Sequence, residues 1–189
     1  MLFRSYEVAV IGGGMVGAAA AYHCAQRGMR TALFERSLLA GGGSGGNFGL
    51  VLPSTGRFDL DYSTHWELEG ARRMAHLSEL LDFDVEYRPA HGYALLCSDE
   101  EVAMFTPHRD GFVAAGLGER FITPSELREA EPALHVGEEI VAALQTDEAV
   151  INPLRLVQGW GKAALRSGAA LHCYEPITGF RRNANRITH

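Results

Sequence analysis

The sequence predicts an α/β fold organised around a strand-helix-strand unit in its first 35 residues, and three observations carry that expectation. Tyr6-Glu7-Val8-Ala9-Val10-Ile11 is a short apolar run rich in β-branched residues that ends at glycines, the pattern of a buried strand. Met15 to Arg27 is built of good helix formers, with the small residues Ala18 to Ala21 available for close packing and Gly28 where a C-cap glycine belongs. Met29 to Phe34 then reads as a second strand ending at Glu35.

Beyond this unit the chain turns glycine-rich from Ser37 to Arg57, centred on Gly41-Gly42-Gly43-Ser44-Gly45-Gly46-Asn47. Apolar residues bracket the run, Leu38-Leu39 before it and Phe48 to Leu52 after it, as in a loop held against a core. Asp61 to Leu81 has apolar residues near helical spacing and reads as one amphipathic helix. Val85 to Arg88 and Tyr93 to Cys97, joined by Pro89-Ala90-His91-Gly92, read as two strands of a hairpin. Asp99 to Leu117 is helical with a break or kink expected at Pro107.

Thr123-Pro124-Ser125-Glu126 combines an N-cap hydroxyl, a proline at the first helical position and a glutamate at N3, so a helix starts there and stops before Pro132. Asn152-Pro153 repeats the device and opens a helix running to Gly168. Ala169 to Cys173 follows as a third buried strand, with a later turn at Asn183-Ala184-Asn185.

Composition narrows the function. With 189 residues, 47% hydrophobic and 21% charged, the chain can bury a sizeable core without disulfides or a structural metal. The net charge of -6, and the absence of any Lys or Arg stripe, argue against nucleic-acid binding. No apolar run reaches the roughly 20 residues that span a bilayer, and no signal-peptide core follows Met1. Cys24, Cys97 and Cys173 are too widely spaced for a metal site or a disulfide framework, so no metal is expected and a reducing cytoplasm is the expected location.

One motif carries chemistry. Gly12, Gly14 and Gly17 form G-x-G-x-x-G directly after a predicted strand and open a predicted helix, with acidic Glu35 at the end of the next strand. Gly12 permits the tight turn, Gly14 leaves room for a pyrophosphate, and Gly17 lets helix and strand approach. The helix start offers unpaired N–H groups and about +0.5 of an elementary charge to a diphosphate. Glu35 suits a ribose diol and would repel a 2′-phosphate. These residues predict a Rossmann-like site for FAD or NAD(H) rather than NADP(H).

Several segments together resemble a known family: GGGMVGAAAAYHCAQRG, LFERS, GGGSGGNFGLV, HGYALL, LREAEPALH and INPLRLVQGWGKAALRSGA, collinear over nearly the whole chain. They are similar to the FAD-dependent amine and amino-acid oxidoreductases of the D-amino-acid oxidase superfamily, the group of glycine oxidase, sarcosine oxidase and D-amino-acid dehydrogenase. SGGNFGLV with VEYRPAHGYALL is closest to the flavin subunits of hydrogen cyanide synthase, opine oxidases and D-hydroxyproline dehydrogenase.

The resemblance implies FAD with its pyrophosphate at Gly12, Gly13, Gly14, Met15, Val16 and Gly17, its adenosine ribose on Glu35 and its adenine beside Arg36. Ser44, Gly45, Gly46, Asn47 and Gly49 correspond to the loop along the pyrophosphate and flavin. Relatives that attach FAD through histidine carry that histidine after the serine of this loop. Here Asn47 and Phe48 stand in that region, which implies non-covalent FAD. His65, His91 and Tyr93 read as structural residues.

By the same resemblance, residues 1–56 and 148–189 form an incomplete FAD-binding domain, with its Rossmann-like core from Tyr6 to Glu35 and Asn152 to Cys173. Residues 57–147 supply part of a mixed α+β substrate domain. The implied reaction moves hydride from the α-carbon of a small amine or amino acid to flavin, giving an imine. The residues that bind the substrate carboxylate in the family have no counterpart before His189, so no catalytic residue is assigned. The chain reads as the amino-terminal half of a larger flavoprotein, completed by a missing C-terminal half or by a partner chain. Two other readings stay open from the residues themselves: a nucleotide-binding subunit without turnover, and an NAD-dependent dehydrogenase.

Overall fold

The computed structural model describes residues 5–53, 62–184 and 186–187, with the side chains of 62–64 and 186 excepted. In chain order the first elements are β1 (Val8–Ile11), α1 (Met15–Gln26), β2 (Thr31–Glu35), β3 (Leu50–Val51), α2 (Tyr62–Met74), α3 (Leu77–Leu81) and β4 (Arg88–Leu96). They are followed by α4 (Asp99–Ala114), β5 (Arg120–Ile122), α5 (Pro124–Ala130), β6 (Ala142–Val150), α6 (Pro153–Arg166), β7 (Ala170–Cys173), β8 (Arg182–Asn183) and β9 (Arg186–Ile187). The chain forms two compact units.

The first unit is assembled from Met1–Gly49, Leu77–Glu86 and Asn152–His189. Its sheet is parallel in the order β1-β2-β7, with Val8 opposite Thr31 and Ala32 opposite Ala170. Parallel strands need crossovers, and α1 and the long return through α6 supply them. The two helices pack against each other. Small buried residues make that approach possible, Ala18, Ala21 and Ala25 on α1 and Ala163 and Ala164 on α6, with Tyr22 against Trp160 at 5.3 Å between ring centroids.

Local chemistry fixes where α6 begins and ends. Asn152 Oδ1 accepts the Arg155 N–H at 3.1 Å, Pro153 takes the first helical position, and Gly168 closes the helix at φ +93. The short segment Leu77–Glu86 is fastened to α6 at both ends. Asn152 donates its N–H to Val85 O (3.0 Å) and its Nδ2 to Glu86 Oε2 (3.0 Å), Arg155 Nε donates to Asp84 O (2.8 Å), and Arg166 donates to Leu81 O. Between these ties the Phe83 ring lies under two cations, Lys162 Nζ at 4.0 Å and Arg155 Cζ at 4.9 Å.

The second unit comprises Leu50–His76 and Tyr87–Ile151 and is built on an antiparallel sheet with β6 at its centre. β4 pairs with β6 over nine residues, from Arg88 opposite Val150 to Leu96 opposite Ala142, while β3 and β5 pair with the other side of β6. Ile122, Leu127, Val136, Ile140 and Ala143 form its buried cluster, with Tyr93 packed against them. Both helix-start signals act as the sequence predicts. Ser98 Oγ caps α4 at the Glu101 N–H, and Thr123 and Glu126 form a reciprocal capping box on α5.

Several expectations are corrected. The hairpin proposed for 85–88 and 93–97 is one continuous strand, β4. Pro89 is tolerated because β4 is an edge strand among the described residues, so its missing N–H breaks no ladder bond on the outer side. Gly92 is not a turn residue; a Cβ there would collide with the Glu148 carboxylate lying over it from β6. Residues 61–81 hold two helices instead of one, and Asp61 lies outside the described residues. α4 runs through Pro107 unbroken. The units divide at 49/50 and 151/152, because β3 and the end of β6 pair with each other, Leu50 with Val150.

Among the described residues no helix is long and apolar enough to cross a membrane. Removing the Asn152 cap by Asn152→Ala should destabilise the protein by about 1–2 kcal/mol, read as a lower urea midpoint at unchanged m-value.

Candidate cofactor site

The site forms where β1 hands over to α1. Gly12 leaves the strand at φ +103, a conformation that glycine adopts without strain. Its N–H is tied to Phe34 O at 2.8 Å, which keeps the turn level with the end of β2. One helical turn on, a Cβ at Gly17 would fall on the carbonyl oxygen of Gly12. Glycine at 17 is therefore a condition of the helix starting so close to the strand end. No side chain caps α1 at Gly14, so the N–H groups of its first turn are presented outward, where the helix dipole favours an anion.

Glu35 closes the other side. Its Oε2 accepts the Gly13 N–H at 2.6 Å, and its Oε1 accepts the Ser37 N–H at 2.8 Å and the Ser37 hydroxyl at 3.0 Å. A carboxylate offers roughly four acceptor positions, so about one remains for a hydroxyl pair. The Gly13 N–H, then that of Ser37, hold the Glu35 carboxyl below the usual carboxylate range, with the Arg36 charge adding to the effect. Arg36 itself is exposed.

The glycine-rich segment runs back along this turn. Leu39 packs where a Gly13 Cβ would be, at 2.7 Å, and the Ala40 N–H donates to Gly13 O at 2.9 Å. Ser44 Oγ accepts the Met15 N–H at 3.2 Å and would lie 2.8 Å from a Gly14 Cβ. A Gly45 Cβ would collide with Ala40 O, whereas Gly46 is open. Asn47 then locks the end of the loop: its Oδ1 accepts the Gly49 N–H at 2.8 Å, and its Nδ2 donates to Gly43 O (3.2 Å) and Ser44 O (3.0 Å). Gly49 sits at φ +69.

The residues singled out by sequence at 12–17, 35 and 44 are thus brought together, and 45–49 continue from them as one ordered loop. Sequence reasoning missed Ser37, Leu39 and Ala40 as parts of the site. The apolar Leu38-Leu39 bracket was the available signal, since it marks a loop that packs. His91 lies opposite Asp147 with Nδ1 to Oδ1 at 3.6 Å, and Tyr93 belongs to the core of its unit. Among the described residues, no group of three or more His, Cys, Asp or Glu is placed to hold a metal.

Because the Glu35 carboxyl titrates lower in the folded chain than in the unfolded one, its contribution to stability is present above the ordinary carboxylate range and is lost as pH falls through the lowered value. Glu35→Gln should therefore lower the urea midpoint at pH 7, and the difference from wild type should shrink as the solution is acidified. Gly17→Ala, which forces a methyl onto the Gly12 carbonyl, should cost about 1–3 kcal/mol at any pH in the same assay.

Residues 7–189 match the model of the DAO family, described as FAD dependent oxidoreductase. An anaerobic glycerol-3-phosphate dehydrogenase subunit of Escherichia coli (strain K12) is 28% identical over 181 residues, covering 95% of this chain and 32% of that protein. Glycine oxidase of Bacillus subtilis (strain 168) is 24% identical over 188 residues, covering 97% of this chain and 49% of that protein. The crystal structure of glycine oxidase from Bacillus cereus ATCC 14579 superposes with a TM-score of 0.81 at 25% identity, over 97% of this chain and 50% of that one. The chain thus spans between about a third and a half of these relatives. With a family match from residue 7 to residue 189 and a shared fold over nearly all of its length, the chain belongs to the DAO family of FAD-dependent oxidoreductases.

Proposed function

We propose that this protein is a FAD-dependent oxidoreductase of amines or amino acids, holding FAD without a covalent bond. The observation that carries the cofactor assignment is the Gly12–Gly17 turn, with uncapped amides on one side and a charged Glu35 on the other. FAD fits this arrangement: the pyrophosphate on the amides of Gly13 to Gly17, the ribose diol on the remaining acceptor position of Glu35, and the adenine beside exposed Arg36. Ser44 to Gly49 follow along the rest of the cofactor. Asn47 and Phe48 offer no nucleophile for attachment.

When bound, FAD accepts hydride from a C–H bond next to nitrogen, leaving an imine that water hydrolyses to a carbonyl compound and an amine. The protein's part is to hold the cofactor and place that C–H bond. The likeness to glycine oxidases over 97% of the chain supports an amine substrate. We assign substrate binding to the second unit. A groove of about 190 Å³ there is lined by Leu68, Arg72, Tyr87, Leu117, Asp147 and Glu148 among others. Two carboxylates against one guanidinium favour an ammonium group over a phosphate dianion.

A second reading rests on the glycerol-3-phosphate dehydrogenase subunits, equally collinear at 28% identity. In it the oxidised C–H bond lies next to a hydroxyl, and the product is a ketone. Anaerobic mixing separates the two without knowledge of the electron acceptor. Glycine, sarcosine, D-proline or D-alanine should bleach the flavin absorption, and sn-glycerol 3-phosphate should not; the reverse result overturns the amine reading.

Two further outcomes test the cofactor site. The protein should purify yellow and release all its flavin on acid precipitation; colour retained in the pellet would refute non-covalent binding. Glu35→Ala should weaken FAD by about 10- to 150-fold, the worth of about 1.5–3 kcal/mol for a hydrogen bond to a charged group.

A further inference from the structure

Phe48 is exposed to 91% and Val16 to 80%, the two highest values among the exposed large hydrophobic residues described. Exposed apolar side chains are common singly, but these two flank one feature, the uncapped first turn of α1. Val16 is the second residue of that helix. Phe48 belongs to the loop bound to the same turn through Ser44 and Met15.

The Phe48 ring is not on a loose segment. The residues on either side are fixed, Asn47 by three hydrogen bonds and Gly49 by the Asn47 side chain at φ +69. The backbone therefore presents the ring outward, and something with an apolar face is needed to cover it.

The path of the loop says which part of the cofactor that is. Glu35 and Ser37 mark the ribose end, Leu39 and Ala40 contact Gly13, and Ser44 reaches Gly14 and Met15. Residue by residue the loop moves from the adenosine side, past the pyrophosphate, to its far side. Phe48 comes four residues after Ser44, within about 14 Å of it even if fully extended. The ring that lies beyond the pyrophosphate in that direction is the flavin, not the adenine.

We propose that Phe48 covers the flavin ring of the bound cofactor, setting its affinity and its access to solvent. This deepens the proposed FAD site and rests on residues 12–17 holding the pyrophosphate. An aromatic side chain offers the flavin a flat apolar surface, and an offset or edge contact between rings adds to simple burial. The position thereby discriminates between FAD and a ligand that ends at the diphosphate.

The test is to titrate the purified protein separately with FAD and with ADP, and to measure iodide quenching of the bound flavin's emission. Phe48→Ala should weaken FAD by about 3- to 10-fold, leave ADP binding unchanged and make the flavin more accessible to iodide, and Phe48→Tyr should restore all three. Wild-type FAD affinity and iodide access in Phe48→Ala would overturn the proposal, as would equal loss of FAD and ADP, which would mean a damaged loop. Gly14→Val serves as the control for the underlying site, and it should lose both ligands. If Gly14→Val binds both like wild type, the pyrophosphate lies elsewhere and the proposal falls with the site.

Discussion

The contact between Gly17 and the Gly12 carbonyl is the constraint from which the cofactor site follows. It lets α1 begin within a few residues of the end of β1, so the first-turn amides emerge at the strand's carboxyl end and not further along the surface. The bond from Gly13 to Glu35 then sets the end of β2 against the same turn. Two strand ends, a helix start and a carboxylate are thus fixed by glycines and backbone N–H groups. A positive pole and a negative acceptor a few ångströms apart are what the diphosphate and diol of one nucleotide half require.

This arrangement would have little rigidity if the sheet were held by neighbouring strands alone. α1 rests on α6, and α6 enters only after the whole of the second unit has been traversed. The chain marks the return with an Asn-Pro start whose side chain serves two purposes, capping the helix and binding Glu86. The ties from α6 to Leu81, Val85 and Glu86 show why a ten-residue piece of the middle of the chain belongs with the nucleotide-binding unit. Its backbone carbonyls satisfy Arg155 and Arg166, and its Phe83 covers the helix face at Gly159, where a Cβ would meet the ring at 3.0 Å.

Features fixed by residues close in sequence were legible from the sequence. The glycine fingerprint, the Thr123 capping box, the Asn152 start and the Gly168 stop each depend on a few consecutive residues. β4 and β6 were not legible for the opposite reason. Pro89 and Gly92 look like turn residues, yet Gly92 is flat because Glu148 lies over it, more than fifty positions away. β6 carries Gln, Thr, Asp and Glu among alanines, a poor strand by propensity, and is held as one by partners on both sides. Pairing at that separation leaves no trace in local pattern. The unit boundaries moved by several residues on the same account, since Leu50 is drawn to Val150.

The same distinction explains why residues 12 to 35 left flavin and nicotinamide open. They contact the adenosine diphosphate, which both cofactors share, so no refinement of the fingerprint could separate them. Information about the other half has to lie in residues reached after the pyrophosphate has been passed. In this chain that is the stretch after Ser44, where the loop has left Gly13 and Gly14 behind. Its glycines clear the way for a bulky ligand, its asparagine fixes the backbone, and its one large side chain is left bare. A site for a cofactor with a broad, flat, apolar ring would have those properties.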